Sequence, residues 1–422
     1  MPNAQHTSNY MNKTDASSIP LEEIDVSKPA LYRQDTWRPL FQRLRHEAPV
    51  HYQAESDVGP FWSVSSYEMV MAVDTNHSVF SSEEGGIGII DPKPIDEERL
   101  TPTFIQMDEP KHGEQRKTVS PAVSPQNLKE LEPLIRERAS NILDNLPVNE
   151  TFDWVDKVSI ELTASMLATL FDFPQDKRRD LIRWSDLATA QPGISENFDV
   201  QARKEGLLEC ASVFYELWQK RSVQEPKPDL ISMLAHGEAT KDLAEHPLRM
   251  LGNILLLIVG GNDTTRNSIS GGVLALNQFP DEYLKLTNNW NLIPNMVSEM
   301  IRWQSPVIHM RRTALKDVEL DGKHIRKGDK VVMWYLSGNR DETIFPDADR
   351  LIIDRPNARR HLAFGFGIHR CMGNRLAEMQ LRVLWEEIMK RFKHVEVVGE
   401  TERISSNFIR GIGKLPVRVH PY

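Results

Sequence analysis

The stretch FGFGIHRCMG, from Phe364 to Gly373, carries the pattern that decides the fold. Glycines at positions 365, 367 and 373 surround one cysteine, Cys371, and a helical pattern begins directly after it. Because glycine tolerates positive φ and the close approach of a neighbour, the pattern predicts a loop shaped around a flat ligand. The loop would place Cys371 at the N-terminus of a helix, where unpaired N–H groups and the helix dipole stabilise a thiolate.

A lone cysteine at the start of a helix has three interpretations. A thiolate in a tight, apolar loop suits an axial ligand of haem iron. A catalytic nucleophile would need a distant His with an Asn or Asp partner as its base, and no such pair stands out. A zinc site could use His369 and Cys371, but no second CxxC or HxxxH motif supplies the remaining ligands. The loop therefore favours a haem-thiolate site.

A second stretch, LLLIVGGNDTTRNS from Leu255 to Ser268, is apolar enough to require burial but contains Asp263, Thr264 and Thr265. These polar residues have a structural explanation, because a threonine can bond back to the preceding turn and bend the helix. They also have a functional one, because an acid beside an alcohol in a dry pocket can relay protons. The residues alone leave both explanations open.

Together with SEMIRWQSP, these motifs resemble those of the cytochrome P450 family in their residue patterns and in their order along the chain. FGFGIHRCMG matches the family's haem loop, Phe-x-x-Gly-x-x-x-Cys-x-Gly, at every fixed position. The resemblance implies that Cys371 is the proximal ligand of haem iron and that His369 bonds a haem propionate. It also implies that Asp263 and Thr264 form the oxygen-activation pair, with Asp263 relaying protons from solvent.

The same resemblance gives a structural role to Glu299 and Arg302. On residue spacing alone, this pair would be a surface ion pair that contributes roughly 0.2–0.5 kcal/mol. In the family, the Glu-x-x-Arg helix pairs with a later arginine, and Arg355 in RLIIDRP is the expected partner. Leu351 stands where phenylalanine is common, so Arg350 is a second, weaker candidate.

Three further cofactor-binding residues follow from the resemblance. MDEPKHGEQR carries His112 and Arg116 in the family's His-x-x-x-Arg arrangement, and HMRRTALKDVELDG places Arg312 at a propionate-binding position. The two carboxylates of haem require such cations, because burying them unpaired is costly.

Two segments, GPFWSVSSYEMVMAVDTNHSVFSSE and GNRLAEMQLRVLWEEIMKRF, are similar to the bacterial subgroup that hydroxylates the terminal carbon of medium-chain n-alkanes and fatty acids. This resemblance implies a distal pocket with aliphatic walls. Such walls suit a chain substrate, which gains roughly 0.8 kcal/mol per buried methylene. A terpene or aromatic substrate is the alternative. The expected pocket residues are Ile87, Ile89, Ile90, Leu256, Val259, Gly260, Val307 and Ile308.

Composition sets the class of molecule. A net charge of −9 and a sequence pI near 5.9 argue against nucleic-acid binding. No apolar run is long enough to cross a bilayer, and the polar N-terminus lacks a signal-peptide pattern, so we expect a soluble cytoplasmic protein. Residues 1–20 are expected to be flexible. Because no linker composition follows, we expect residues 21–422 to form a single haem domain.

The predicted fold is mainly α with small β-sheets, a cytochrome P450 fold. Haem b would lie between the central long helix and the helix that follows the cysteine loop. The resemblance implies O2 as a substrate and electrons from NAD(P)H, delivered by a [2Fe–2S] ferredoxin and its FAD-dependent reductase. An acidic ferredoxin could dock on a cationic cluster, which comprises Arg370, Arg375, Arg382, Lys390 and Arg391. The bland explanation for that cluster is a solvated helix face.

Two rival functions remain at this point. A peroxide-using haem-thiolate enzyme is the first, and Asp263 with Thr264 argues against it, since peroxide arrives already reduced. The second is a non-catalytic haem sensor or electron carrier, and an electron carrier would not need an apolar distal pocket.

Overall fold

The computed structural model describes residues 16–91, 103–190, 194 and 198–422. Of the segment expected to be flexible, residues 1–15 lie outside the described part. Ala16–Ser18 form a short 3-10 turn in which Ala16 is buried. Ile87, Ile89 and Ile90 lie inside the described part, which stops at residue 91 and resumes at residue 103.

Helices make up 55% of the residues that the structure describes and the sheets are small, which confirms the predicted fold class. The α-helices of the described residues are α1 (Pro29–Arg33), α2 (Arg38–Glu47), α3 (Tyr67–Asp74), α4 (Lys111–Val119), α5 (Pro125–Asp144), α6 (Glu161–Leu170), α7 (Arg178–Thr189), α8 (Val200–Ser222), α9 (Leu230–His236), α10 (Pro247–Gln278), α11 (Pro280–Asn288), α12 (Ile293–Gln304), α13 (Tyr335–Gly338) and α14 (Asn374–Arg391).

The strands are β1 (Val50–Gln53), β2 (Phe61–Val64), β3 (Phe80–Ser81), β4 (Phe152–Asp153), β5 (Met310–Ala314), β6 (Val318–Leu320), β7 (Lys323–Ile325), β8 (Lys330–Met333), β9 (Phe392–Val397), β10 (Glu402–Arg403), β11 (Ile412–Lys414) and β12 (Pro416–Pro421). They form a five-stranded sheet in the order β1-β2-β8-β5-β3, a three-stranded sheet in the order β4-β12-β9, and the pairs β6-β7 and β10-β11. Only the β2-β8 pairing of the large sheet is parallel.

The chain divides into two compact units, each built from separate stretches of sequence. The first unit contains the described parts of Met1–Asp91, Gly271–Arg370 and Glu402–Gly413, and the second unit contains the rest. That the whole chain from residue 21 is one haem domain remains a prediction.

The first unit has its core around the five-stranded sheet. Trp334 packs against Phe41, with ring centroids 5.3 Å apart, and against Phe61 at 6.4 Å. Ile89 and Ile308 belong to the same buried cluster. The apolar side of α3 and Phe345 form a neighbouring cluster on β8 and β5. Ser66 caps α3 through its hydroxyl, which accepts a hydrogen bond from Met69 N–H.

The second unit is a helical assembly with an aromatic centre. Phe214 of α8 lies 5.3 Å from Phe171 and 5.9 Å from Trp184 of α7, measured between ring centroids. Cys210 is fully buried in this core, and burial raises the pKa of its thiol to about 12. It therefore acts as a small apolar side chain, as its amphipathic context predicts.

The longest helix is α10, with 32 residues. Gly261 allows it to pack closely on α6, because a Cβ there would lie 2.7 Å from Leu167 Cδ2. Within the described part of the chain, no helix is both long and apolar enough to span a membrane.

Candidate active site

Glu299 lies at the centre of a buried ion network in the first unit. Arg302 approaches it with Nε 2.7 Å from Oε2 and Nη2 2.7 Å from Oε1. Arg355 Nε lies 3.0 Å from Oε1 and 3.1 Å from Oε2. All three residues are at most 2% exposed, so the pair is not a surface ion pair. Arg350 contributes its backbone carbonyl, which accepts a hydrogen bond from Arg302 Nη2 at 2.9 Å.

Arg302 also anchors the chain that follows β8. Arg302 Nη1 donates to the carbonyls of Asn339 and Ala348, each at 2.7 Å. The guanidinium thus holds a loop of buried backbone that would otherwise carry unsatisfied carbonyls. This explains why a charged group is tolerated in the interior: its charge and its donors are both matched.

Residues 364–370 of the cysteine loop belong to the first unit. Gly365 and Gly367 have φ values of 64° and 65°, so both need the left-handed conformation that glycine adopts without strain. A 3-10 turn covers Gly367–His369. His369 Nε2 lies 3.0 Å from Ser82 Oγ, which fixes one edge of the imidazole.

Arg312 is buried in β5 and has a carboxylate partner that the sequence did not reveal. Its Nη2 lies 3.0 Å from Asp74 Oδ1, and its Nη1 donates to the carbonyl of Arg311 at 2.9 Å. Tyr335 donates its hydroxyl to the other oxygen of Asp74 at 2.9 Å. The cation predicted to meet a haem propionate is therefore already half of an internal ion pair.

In the second unit, Cys371 is exposed and stands three residues before α14. The pKa of Arg116 is lowered by burial, and its Coulombic interaction with Cys371 acts in the opposite direction. His112 is buried, with Nδ1 2.8 Å from the carbonyl of Phe104. Because a carbonyl only accepts, Nδ1 carries the proton in the neutral imidazole.

One stripe of α10 is open. Leu256, Gly260 and Thr264 recur every four residues and are only partly buried or exposed, whereas Ile258 and Asn262 are buried. No heavy atom of the described residues, apart from the helix's own backbone, lies within 4 Å of a Cβ placed on Gly260. The open stripe therefore has space over the middle of the helix.

Thr264 and Asp263 point to different partners. Thr264 Oγ1 donates to the carbonyl of Gly260 at 3.0 Å, which is the back-bonding that a structural role requires. Its oxygen lone pairs remain as acceptors, so the same bond is compatible with a functional role. Asp263 Oδ1 accepts from Asn262 Nδ2 at 2.9 Å and from Ser185 of α7 at 3.4 Å.

Arg266 connects Asp263 to solvent. Its Nη2 lies 2.9 Å from Asp263 Oδ1 and 3.1 Å from Oδ1 of Asp186, whose side chain is 56% exposed. Asp186 lines a groove of about 420 Å³ between α7 and the start of α8. Burial raises the pKa of Asp263 to about 6, with Arg266 lowering it and Asp186 raising it further. A carboxyl that titrates near neutrality can both accept and release a proton.

Comparison with known proteins decides the family. The cytochrome P450 family model matches residues 181–419. This chain belongs to the cytochrome P450 family. The linalool 8-monooxygenase of Pseudomonas putida is 37% identical over 411 residues, covering 95% of this chain and 100% of that protein. A methyl-branched lipid omega-hydroxylase of Mycobacterium tuberculosis is 30% identical, covering 96% of this chain and 97% of the relative.

Among solved structures, a cytochrome P450-153 from Novosphingobium aromaticivorans superposes with a TM-score of 0.87. It is 47% identical, and the alignment covers 94% of this chain and 99% of that structure. The predicted resemblance to the P450 family and to omega-hydroxylases is thus confirmed. The chain is accordingly a P450 monooxygenase, a family that uses haem, O2 and electrons from redox partners.

The residues of this P450 fit haem. Gly260 leaves room beside the central helix for a flat ring, and Cys371 exposes a thiol before α14. In the second unit, half-buried Arg116 is a cation suited to a group that carries carboxylates. In the first unit, Arg312 is a buried cation. Cys371 and Arg116 are positions that the haem-loop and His-x-x-x-Arg motifs indicate.

The structure divides the expected pocket residues into two groups. Leu256, Val259 and Gly260 lie on the accessible part of α10, and Ile87, Ile90 and Val307 are likewise partly buried or exposed. Ile89 and Ile308 are only 2% and 0% exposed and pack in the core with Trp37, Phe41 and Trp334. A side chain with no accessible surface lines no open space, so this observation argues against a wall position for these two.

Five residues that contact predicted site residues or their partners could not be identified from motifs in the sequence: Asp74, Ser82, Ser185, Asp186 and Arg266. Each lies on an ordinary-looking helix or turn, far in sequence from its partner except for Arg266, which is three residues from Asp263. Only that spacing was a signal available in the sequence. The other contacts depend on tertiary packing.

Proposed function

We propose that this P450 hydroxylates the terminal carbon of medium-chain n-alkanes or fatty acids. The observation that carries the proposal is the accessible part of α10 around Gly260, where Leu256 and Val259 provide aliphatic side chains. Its relatives support the same class, since one is named a lipid omega-hydroxylase and a P450-153 structure is 47% identical. A terpene is the second candidate, because another relative is a linalool 8-monooxygenase.

In this proposal, Cys371 would ligate the iron of haem b, and His369, Arg312, His112 and Arg116 would hold its propionates. Haem supplies the activation of O2 when it is bound. Glu299, Arg302 and Arg355 act structurally, by fixing the backbone that precedes the cysteine loop.

Proton delivery is assigned to Asp263 and Thr264. Solvent protons would reach Asp186 at the groove, and Asp263 would take up a proton beside Arg266. Because the Asp263 carboxylate is bonded to Asn262 and Ser185, transfer to Thr264 requires either a rotamer change or a bridging water. Thr264 Oγ1, which donates to the carbonyl of Gly260, would accept a hydrogen bond from the protonated Asp263 carboxyl or from the bridging water.

For the electrons, we propose a [2Fe–2S] ferredoxin with an FAD-dependent reductase and NAD(P)H. Within the cationic cluster predicted from the sequence, two arginines form ion pairs with carboxylates. Arg382 pairs with Glu132 at 2.9 Å, and Arg391 pairs with Asp144 at 2.6 Å. Arg370 and Arg375 are exposed and remain candidate contacts for the ferredoxin.

A cytoplasmic location of the protein remains a prediction from the sequence.

The ligation is tested by the absorption spectrum of the reduced CO complex. The red-shifted Soret band of thiolate ligation is expected for the unmutated protein and for Cys210→Ala, whose thiol is buried in the second unit's core. Cys371→His should lose that band while keeping its helical circular dichroism. A thiolate band that survives in Cys371→His would refute the assignment of the ligand.

The substrate class is tested by titrating octane, a medium-chain fatty acid, linalool and a bicyclic terpene against the haem spectrum. We expect the linear chains to shift the spectrum at the lowest concentrations. Tighter binding of either terpene would favour the second candidate and leave the monooxygenase assignment intact.

A further inference from the structure

Asp74, the last residue of α3, is a buried carboxylate on which three donors converge. Arg312 Nη2 lies 3.0 Å from Oδ1, while Tyr335 Oη and Phe366 N lie 2.9 and 2.7 Å from Oδ2. Only 3% of Asp74 is exposed. The donors belong to β5, to α13 and to the cysteine loop, so one side chain joins three separate segments of the first unit.

The cysteine loop also lies against the backbone of this residue. A Cβ placed on Gly367 would be 2.5 Å from the carbonyl oxygen of Asp74. One placed on Gly365 would be 3.3 Å from both Asp74 Oδ2 and Tyr335 Oη. Both glycines have positive φ. Their presence is therefore explained by the approach of the loop to α3, in addition to any approach by a flat ligand.

A second attachment lies eight residues further along the same stretch. Ser82, directly after β3, places Oγ 3.0 Å from His369 Nε2. The stretch from Asp74 to Ser82 thus contacts the loop at Phe366 and at His369, which precede Cys371 by five and two residues. Two contacts at separate points restrict both the position and the tilt of the loop.

We propose that Asp74 is a positioning residue for the cysteine loop, which it holds through Phe366 N–H while its other oxygen holds Arg312. This inference rests on the proposed haem-thiolate function. It adds that the loop and one propionate-binding cation are set by a single carboxylate. The two attachments are interdependent, because removal of the carboxylate frees the loop amide and also leaves a buried guanidinium without its counter-charge.

The test compares Asp74→Asn with a matched variant, Glu282→Gln, in the haem-loaded full chain. Glu282 is 4% exposed, accepts from Ile353 N at 3.0 Å and pairs with Lys285 at 3.0 Å, so it resembles Asp74 without touching the loop. Hydrogen exchange of peptides covering residues 364–370 is the first readout. The second is the fraction of thiolate-type CO spectrum that survives a warm incubation.

We expect Asp74→Asn to speed exchange at Phe366 by about tenfold, because a neutral amide oxygen accepts more weakly than a carboxylate and the amide NH2 cannot accept at all. It should also lose the thiolate-type spectrum faster, whereas Glu282→Gln should change neither readout. Tyr335→Phe removes one neutral donor and should accelerate exchange less than Asp74→Asn does. If Asp74→Asn does not fold, Asp74→Glu and Tyr335→Phe provide the same comparison.

Three outcomes separate the claims. Equal loop exchange in Asp74→Asn and Glu282→Gln would overturn the positioning role. Faster exchange with an unchanged rate of spectral loss would overturn the link between Asp74 and ligation. A missing thiolate-type spectrum in the unmutated protein would instead refute the proposed function, and the exchange experiment on Asp74 would still report on the loop.

Discussion

Asp263 combines burial, a cation and a second carboxylate in one place. Burial raises its pKa to about 6, although Arg266 lies 2.9 Å away, because Asp186 opposes the effect of that cation. A group poised in this range suits proton transfer at neutral pH. The same features carry a cost in stability, since the folded protein holds the ionised carboxylate less favourably than the unfolded chain does.

The first prediction concerns that cost. The folded-state pKa of Asp263 exceeds the unfolded value, so the folded state binds more protons between about pH 4 and 6, and stability falls as the pH rises through this window. Because the pKa of Asp263 rises from 3.8 to about 6 on folding, the loss of stability is about 3 kcal/mol at neutral pH. Asp263→Asn should lack this pH-dependent loss, so in urea unfolding its stability relative to the unmutated protein should rise from pH 5 to pH 7.5, while its turnover falls. A pH-independent difference would contradict the origin of the raised pKa.

The second prediction concerns Thr264. Thr264→Ala should still bind substrate and consume NAD(P)H, but it should release reduced oxygen as peroxide. The reason is that the variant lacks the hydroxyl that takes part in proton delivery. Thr265→Ala is the neighbouring control, since Thr265 is 3% exposed and lies off the open stripe of α10. The measurement is the ratio of peroxide to product per NAD(P)H. Full coupling in Thr264→Ala would remove Thr264 from proton delivery.

At the level of elements, α12 is held by the charge network of Glu299. Glu299→Gln would leave Arg302 and Arg355 as buried cations without a carboxylate, and losing one partner of a buried pair costs about 3–5 kcal/mol. We expect the variant to accumulate little folded protein, or to unfold at much lower urea. Asp144→Asn, which breaks the exposed pair with Arg391, should have a far smaller effect. Comparable losses in both variants would mean that the network carries no special stability.

The sequence predicted several elements because their signals are local. Helix α14 follows a glycine-rich loop, α10 shows an apolar run, and Glu299 with Arg302 shows helical spacing. Arg355 was found through the order of motifs. Asp74 could not be found in this way, because it meets Phe366 across 292 residues and its own segment has an ordinary helical pattern.

The pocket residues are the hardest part of the site to predict from the sequence, for a physical reason. Ile89 and Ile308 are aliphatic and close in sequence to pocket residues, but aliphatic character does not distinguish a wall from a core. Ile308 N–H donates to Phe408 O at 2.9 Å, and Ile89 N–H donates to His309 Nε2 at 3.2 Å. These backbone contacts orient both side chains into the cluster around Trp334.

For the whole molecule, the charge distribution bears on partner binding. In a protein of net charge −9, an acidic partner is repelled in general and must be attracted locally. Arg370 stacks on Phe366 at 5.5 Å and is exposed, as is Arg375. Reversing the charge of either with Glu should slow reduction by a [2Fe–2S] ferredoxin and weaken its dependence on salt. Arg391→Glu is the control, because Asp144 and Glu387 already neutralise that residue. A reduction rate of the unmutated protein that does not depend on salt would rule out steering.

The last prediction concerns where oxygen is inserted. Hydrogen abstraction without guidance favours the weaker internal C–H bonds, so attack on a terminal methyl must be imposed by the shape of the pocket. We assign that shape to Leu256 and Val259, which flank Gly260 on the accessible part of α10. Leu256→Ala or Val259→Ala should widen the space and raise the share of ω−1 alcohol formed from octane or a medium-chain fatty acid.

Ile308→Val provides the matched comparison, because Ile308 is fully buried in the first unit's core. It should cost about 0.5–1.5 kcal/mol in stability and leave the product ratio unchanged. Gas chromatography of the alcohols, with a competent ferredoxin system, measures the ratio. If Ile308→Val shifted the ratio and the α10 variants did not, the assignment of the wall to Leu256 and Val259 would be wrong. Mainly internal alcohols from the unmutated enzyme would refute terminal hydroxylation, while the ligand assignment of Cys371 would stand because it depends on different residues.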